Sequence, residues 1–268
     1  DPSAFSFSNV TKIFGQTRAN DGVSFAVAPC SIHGVVGENG AGKSTILKIL
    51  YGLYRADEGD VFVGTERVDF TSPQQAIARG IGMVHQHFML VPTLTVWQNV
   101  ILGREPYAWH SNYSRAIKEL SALQAEFGFS LNLEARIEDL PVGLQQQVEI
   151  LKLLYRKASI LIFDEPTAVL TPQEVGVLIA RLKSLRDQGK TIVFISHKLK
   201  EILALTENVT ILRQGKVVGT WPTHTLFPSN RIGVSQRRRW RRSLIDALLR
   251  CNAKSWLRPN RYSALTGE

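Results

Sequence analysis

An α/β fold with a mixed sheet, an antiparallel β subdomain and an inserted helical subdomain is the architecture this sequence predicts, and three patterns predict it. Ala4 to Val10 and Asp60 to Asp69 alternate apolar and polar residues, the two-residue period of antiparallel strands with one face in solvent. Ile32 to Val36, Ile160 to Phe163 and Ile192 to Ile195 are continuous apolar runs, which read as strands buried on both faces of a parallel sheet. Ser114 to Phe127 sets Ile117, Leu120, Leu123 and Phe127 at helical spacing and reads as a helical insertion within the α/β core. At the end of this body, Val209 to Leu212 and Lys216 to Thr220, joined around Gln214-Gly215, form a hairpin.

The apolar run Ile32 to Val36 leads directly into Gly37-Glu38-Asn39-Gly40-Ala41-Gly42-Lys43-Ser44-Thr45, which fits G-x-x-x-x-G-K-[ST]. Glycines at these positions let consecutive backbone N–H groups curl into a nest, and a helix starting near Lys43 adds the positive end of its dipole. Strand, nest and helix together make the phosphate cradle of a P-loop NTPase core. Lys43 is expected to neutralise phosphate charge and Ser44 to offer its hydroxyl to Mg²⁺, with Gly37, Asn39, Gly40, Ala41, Gly42 and Thr45 completing the nucleotide-facing loop.

A second strand carries the complementary charge. Ile160 to Phe163 ends in Asp164-Glu165, two carboxylates at a sheet edge. Asp164 is expected to hold Mg²⁺ through its water shell, and Glu165 to orient and deprotonate an attacking water.

Composition narrows the class. The chain has 268 residues, 44% of them hydrophobic, enough for one large core or one core with an insertion. No apolar run approaches the ~18 residues that span a bilayer, and no signal-peptide pattern opens the chain, so a soluble body is expected. Two cysteines, Cys30 and Cys251, lie far apart and in no zinc spacing, which fits a reducing cytoplasm. The first residue is Asp1, not methionine, so an upstream piece is expected. The net charge of +9 is concentrated in residues 226–268, where ten Lys and Arg face two Asp and Glu. The body is therefore nearly neutral, and no nucleic acid partner is expected.

With these motifs in order, residues 4 to about 225 resemble the nucleotide-binding domains of ABC transporters. Pro166-Thr167-Ala168-Val169-Leu170-Thr171-Pro172 is similar to the segment after the Walker B strand, with Thr171 where an aspartate is usual. Ser196-His197 after Thr191 to Ile195 resembles the switch histidine, which implies that His197 contacts the γ-phosphate and the nearby glutamate. Gln86, within Gly82-Met83-Val84-His85-Gln86-His87-Phe88, matches the Q-loop glutamine, which implies reach to Mg²⁺ and water and sensing of a membrane partner. Phe14 stands where the family stacks an aromatic ring on adenine; a core phenylalanine is the alternative. His85 and His87 share one face of an extended segment, as a metal pair would, although no third ligand is evident. Leu140-Pro141-Val142-Gly143-Leu144-Gln145-Gln146-Gln147 aligns with L-S-G-G-Q, so Gly143 is implied to face the γ-phosphate across a dimer, while Pro141 removes the usual serine hydroxyl and one N–H.

Gly82 to Val96 and Val142 to Arg156 are similar to ATPases of nucleoside and simple-sugar importers. The resemblance implies ATP and Mg²⁺ as ligands, and integral-membrane permease subunits as partners. A second ATP-binding domain would act in trans or come from a missing second half, and a solute-binding protein would act indirectly. The implied location is cytoplasmic, peripheral on the inner face of the cell membrane. The expected organisation is an ATP-binding domain over residues 1–225, with its helical insertion at about 88–150, and a basic tail over 226–268. That tail reads as an amphipathic membrane-surface helix, a solvated helix or a product of truncation or frameshift. The competing functional readings are a soluble ABC ATPase acting on ribosomes or nucleic acid, and an inactive fragment.

Overall fold

Two long strands open the chain because their alternating residues give each an apolar face. β1 (Phe5–Phe14) and β2 (Thr17–Val27) pair antiparallel, and Phe5, Phe7, Val10, Val23, Phe25 and Val27 are buried together. In the computed structural model, residues 3–86, 88–103 and 113–226 are described.

β3 (Ile32–Val36) follows, fully buried, and runs into the loop that starts α1 (Lys43–Leu50). The alternating segment Asp60 to Asp69 is not one strand but a hairpin, β4 (Glu58–Val63) and β5 (Glu66–Val68), paired through Val61↔Val68 and Val63↔Glu66. The two-residue link Gly64-Thr65 reverses the chain with Gly64 at φ 62, a left-handed conformation that glycine adopts without strain. These strands form a four-stranded antiparallel sheet in the order β2-β1-β4-β5.

After α2 (Pro73–Ala78), β6 (Ile81–Val84) enters a second sheet. The next strand of that sheet is β7 (Ile160–Asp164), and between the two the chain builds α3 (Val96–Ile101), α4 (Tyr113–Phe127) and α5 (Val142–Tyr155). α6 (Pro172–Asp187), β8 (Thr191–Ile195), α7 (Leu199–Leu205), β9 (Asn208–Arg213), β10 (Lys216–Pro222) and α8 (Thr223–Leu226) complete the described chain. The second sheet has the order β10-β9-β3-β8-β7-β6, parallel except for β10. It is a mixed sheet, as the sequence predicts.

Burial on both faces explains the continuous apolar runs. Leu161, Phe163, Ile192 and Phe194 pack towards α5 and α6, whereas Ile160, Ile162, Val193 and Ile195 pack towards α1 and the antiparallel sheet. α1 is thus held between two sheets by Ile46, Leu47, Ile49 and Leu50, and the loop in front of it inherits that rigidity.

His33 on β3 is 2% exposed, stacked on Phe25 with centroids 5.9 Å apart, and its Nε2 lies 2.8 Å from the Thr210 hydroxyl. Burial pushes its pKa down to about 4 from 6.5. The folded protein holds this imidazole neutral, so its contribution is fully present above pH 6.5. It is lost as pH falls from there through about 4, on the order of 3 kcal/mol in total. Urea unfolding midpoints measured from pH 7.5 down to 4.5 should fall in the native chain and fall less in His33→Gln; equal slopes would contradict the assignment.

Candidate active site

The parallel ladder sets several chain segments level at one sheet edge. Val35 pairs with Ile195, Asp164 with Ile195 and Val84 with Phe163, so the residues following β3, β8, β7 and β6 all leave the carboxyl edge together. Ligands of parallel sheets bind at such edges. Here the edge gathers the glycine-rich loop, Asp164 and Glu165, His197, and Gln86.

The loop is braced from outside. The Asn20 amide, fully buried on β2, donates to the Gly42 carbonyl at 3.1 Å, and the Gly215 N–H donates to the Ala41 carbonyl at 3.2 Å. Gly42 has φ 94, and a Cβ there would stand 2.3 Å from the Ala19 carbonyl oxygen, so only glycine fits. α1 begins immediately after with no side-chain cap, which leaves its first N–H groups available to an anion. Gly40, Ala41, Gly42, Lys43, Ser44 and Thr45 line a groove of about 490 Å³. Asn39 lies on the other side of the loop, in a groove it shares with Glu38 and His197.

Lys43 is 5% exposed, and its Nζ donates to the carbonyls of Gly37 at 3.0 Å and Glu38 at 2.9 Å. Burial lowers its pKa, opposed by Glu165 and Asp164. The ammonium therefore sits in a partly desolvated site whose bonds are to neutral oxygens, which anionic oxygens can replace with gain.

The Ser44 hydroxyl donates to Asp164 Oδ1 at 2.8 Å. Asp164 is 4% exposed, and burial raises its pKa against the opposing Ser44 bond. A hydroxyl and a carboxylate this close form a hard-oxygen donor pair that suits Mg²⁺, and a cation there would hold Asp164 ionised. Among the described residues, no group of three or more His, Cys, Asp or Glu side chains could hold a metal ion.

Glu165 turns the chain off β7 with φ 50, a left-handed conformation unusual for a residue with a Cβ. Its N–H donates to the Ile195 carbonyl at 3.1 Å, and its Oε1 lies 3.3 Å from His197 Nδ1. The carboxylate and the imidazole are within reach of one another and, at 18% and 47% side-chain exposure, of water. That pair can accept and orient a proton donor.

Gln86 stands two residues past β6, exposed, and is not bonded into the Ser44–Asp164 pair. His85 packs edge-on against Tyr51 with centroids 5.7 Å apart; His87 lies outside the described residues. Phe14 is 41% exposed at the end of β1, which removes the core alternative. Its ring meets Tyr54 edge-on at 5.1 Å, and its cross-strand partner Thr17 lines the loop groove, although Phe14 itself does not.

Gly143 is brought to a different partner. Pro141 occupies the N-cap of α5 without a side-chain cap, and the Gly143 N–H donates to Glu174 Oε1 at 3.1 Å. The other oxygen of Glu174 closes a capping box with Thr171 at the start of α6, where the Thr171 N–H is 2.8 Å away. Thr171 N–H, then the Thr171 hydroxyl, hold this carboxyl below its ordinary pKa. The resemblance implies a Gly143 N–H offered to a γ-phosphate across a dimer; here that donor is engaged within the chain by an anion.

Several residues at the site were invisible in the motifs. Thr17, Arg18, Ala19 and Gln214 line the loop groove, and Asn20 and Gly215 brace it. They come from β2 and from the β9–β10 turn, distant in sequence. The one available signal was the Gln214-Gly215 turn, which reads only as a hairpin until the sheet order is known.

Comparison with known proteins agrees with this geometry. The ABC transporter family model matches residues 20–168. A nucleoside import ATP-binding protein of Lactococcus lactis subsp. cremoris is 48% identical over 213 residues, covering 79% of this chain and 42% of that protein. A glucose import ATP-binding protein of Haloferax volcanii is 45% identical over 244 residues, covering 80% of this chain and 44% of that protein. The chain thus spans less than half the length of these curated relatives. Among solved structures, a nucleotide-free ATP-binding cassette from an ABC transporter superposes with a TM-score of 0.75 at 22% identity, covering 82% of this chain and 91% of the other, a likeness of fold. Because the family model spans more than half of the chain and carries the glycine-rich loop through Asp164, this chain belongs to the ABC transporter family.

Proposed function

We propose that this chain is an ATP-binding and hydrolysing subunit of an ABC importer, for nucleosides or simple sugars, that drives a separate integral-membrane permease. The observation that carries the reading is the Glu165–His197 contact at the sheet edge that also holds the phosphate loop and the Ser44–Asp164 pair. The relatives, nucleoside and glucose import ATP-binding proteins, supply the substrate class.

In this reading the triphosphate lies along Gly37 to Thr45, and Lys43 exchanges its bonds to the Gly37 and Glu38 carbonyls for phosphate oxygens. Mg²⁺, held by Ser44, Asp164 and the Gln86 side chain, would neutralise phosphate charge. Phe14 offers an exposed ring to adenine at the groove rim. Glu165 accepts the proton of the attacking water, and His197 keeps that carboxylate aimed and meets the γ-phosphate.

The proposed ATP-binding domain covers residues 1–225, with the helical insertion at about 88–150. Exposed Met89, Val91 and Tyr113 in that insertion support a docking face for the permease, which would put the chain on the cytoplasmic face of the membrane. No helix among the described residues is long and apolar enough to cross a membrane itself. Exposed Val142, Val169 and Val177, on the segments around Gly143 and Thr171, support a second ATP-binding domain as partner. A solute-binding protein would act through the permease. The basic tail, 226–268, lies outside the described residues.

Titration with a fluorescent ATP analogue and Mg²⁺ should show Lys43→Ala binding about tenfold to hundredfold more weakly than the native chain, the worth of a charge-assisted contact. Equal affinities would remove the loop from the account. Glu165→Gln keeps shape and loses the base, so it should bind the analogue normally while phosphate release drops about 100-fold or more. Undiminished release would assign the base elsewhere.

Pairing of two domains should be weak in the native chain, because Pro141 provides no hydroxyl and Glu174 occupies the Gly143 donor. Pro141→Ser in the Glu165→Gln background should strengthen ATP-dependent dimerisation by on the order of 1.5 to 3 kcal/mol in analytical ultracentrifugation. A tight ATP-driven dimer from the Pro141 chain would contradict this.

A further inference from the structure

We propose that Glu201 is a positioning residue that locks the Glu165 loop to the His197 loop; the proposal rests on the hydrolytic reading above. Glu201 is 7% exposed on α7, and an ionised carboxylate so buried is costly unless its oxygens are met. Its Oε2 accepts from the Thr167 hydroxyl at 2.7 Å and from the Ser196 hydroxyl at 2.9 Å, and its Oε1 lies 3.3 Å from Lys198 Nζ. Lys198 Nζ in turn donates to the Thr167 carbonyl at 2.9 Å. Thr167 stands two residues past Glu165, while Ser196 and Lys198 flank His197. One side chain therefore grips both segments whose ends meet at the Glu165–His197 contact.

The local alternative for this carboxylate is helix capping. Glu201 is the third residue of α7, where a glutamate ordinarily reaches back to the N-cap N–H. That N–H, of Lys198, instead donates to Ser196 Oγ at 2.9 Å, and no side-chain cap bond closes α7. The carboxylate makes no bond to the N-cap N–H of its own helix and instead accepts from the neighbouring loops, where Thr167 and Ser196 are 2% and 1% exposed. Glu165 needs such support. Its left-handed backbone is held in place by its surroundings, and a loop free to relax would carry the carboxylate away from His197.

The test measures steady-state phosphate release and fluorescent-analogue binding, with Mg²⁺, in Glu201→Gln, in Thr167→Val/Ser196→Ala, and in each combined with Glu165→Gln. Glu201→Gln and Thr167→Val/Ser196→Ala should each lower kcat about tenfold or more, as misplacement of a reacting group does, while analogue affinity stays within about twofold. In the Glu165→Gln background neither change should cost much further, because both act through that carboxylate. Wild-type kcat in both variants, parallel loss of affinity and kcat, or full additivity with Glu165→Gln would each overturn the proposal. Thr167→Val/Ser196→Ala keeps the Glu201 side chain and its Lys198 contact and decides the matter if Glu201→Gln does not fold. If Glu165→Gln itself hydrolyses at the native rate, the hydrolytic reading fails and the inference falls with it; normal Glu201→Gln turnover beside a dead Glu165→Gln removes the inference alone.

Discussion

The register of the parallel ladder β3-β8-β7-β6 is the constraint on which the rest of the site depends. Val35↔Ile195, Asp164↔Ile195 and Val84↔Phe163 bring several strands to an end at one level. A one-residue slip in any pair would turn its buried side chains to the opposite core, and a slip of β7 on β8 or β8 on β3 would displace Asp164 from Ser44. Because Leu161 and Phe163 fill one core and Ile160 and Ile162 the other, both cores resist that slip. The geometry of the polar groups is thus fixed by apolar packing that never touches a ligand.

Onto that edge the fold places charge in a way that is costly without a ligand. Asp164 is buried with its pKa raised, and Lys43 is buried with its pKa lowered. Each is satisfied locally, Asp164 by a hydroxyl and Lys43 by two carbonyls, and each can exchange those neutral partners for charged ones. Rigid bracing by Asn20 and Gly215 lets the loop do so without reorganising its backbone. At the start of α5 Glu174 plays the anion for Gly143, so a partner's phosphate there would compete with a carboxylate already in place.

What could be read in the sequence follows from how local each signal is. The runs at 32–36, 160–163 and 192–195 became β3, β7 and β8 because burial on both faces keeps them apolar, with His33 the one polar residue among them, buried and bonded to Thr210. β6 is shorter, four residues with a glycine inside, and β2 carries Arg18, Asn20 and Asp21, so neither announced itself. The hairpin at 60–69 imitated one alternating strand because its turn is only two residues long. Within the site, contiguous motifs were legible and gave the loop, Asp164-Glu165 and His197. The supports were not: Asn20, Gly215, Glu174 and Glu201 reach segments distant in sequence through one hydrogen bond each, to Gly42, Ala41, Gly143 and Thr167, that no spacing rule records.

In the proposed function a nucleotide's phosphates would replace the neutral partners of Lys43 and join Ser44 and Asp164 at the carboxyl edge. A crystal structure of Glu165→Gln with Mg²⁺ and ATP tests it most directly. Lys43 Nζ should be withdrawn from the Gly37 and Glu38 carbonyls onto phosphate oxygens, with the metal beside Ser44 and Asp164. Lys43 still bonded to both carbonyls, with the nucleotide bound elsewhere, would contradict it.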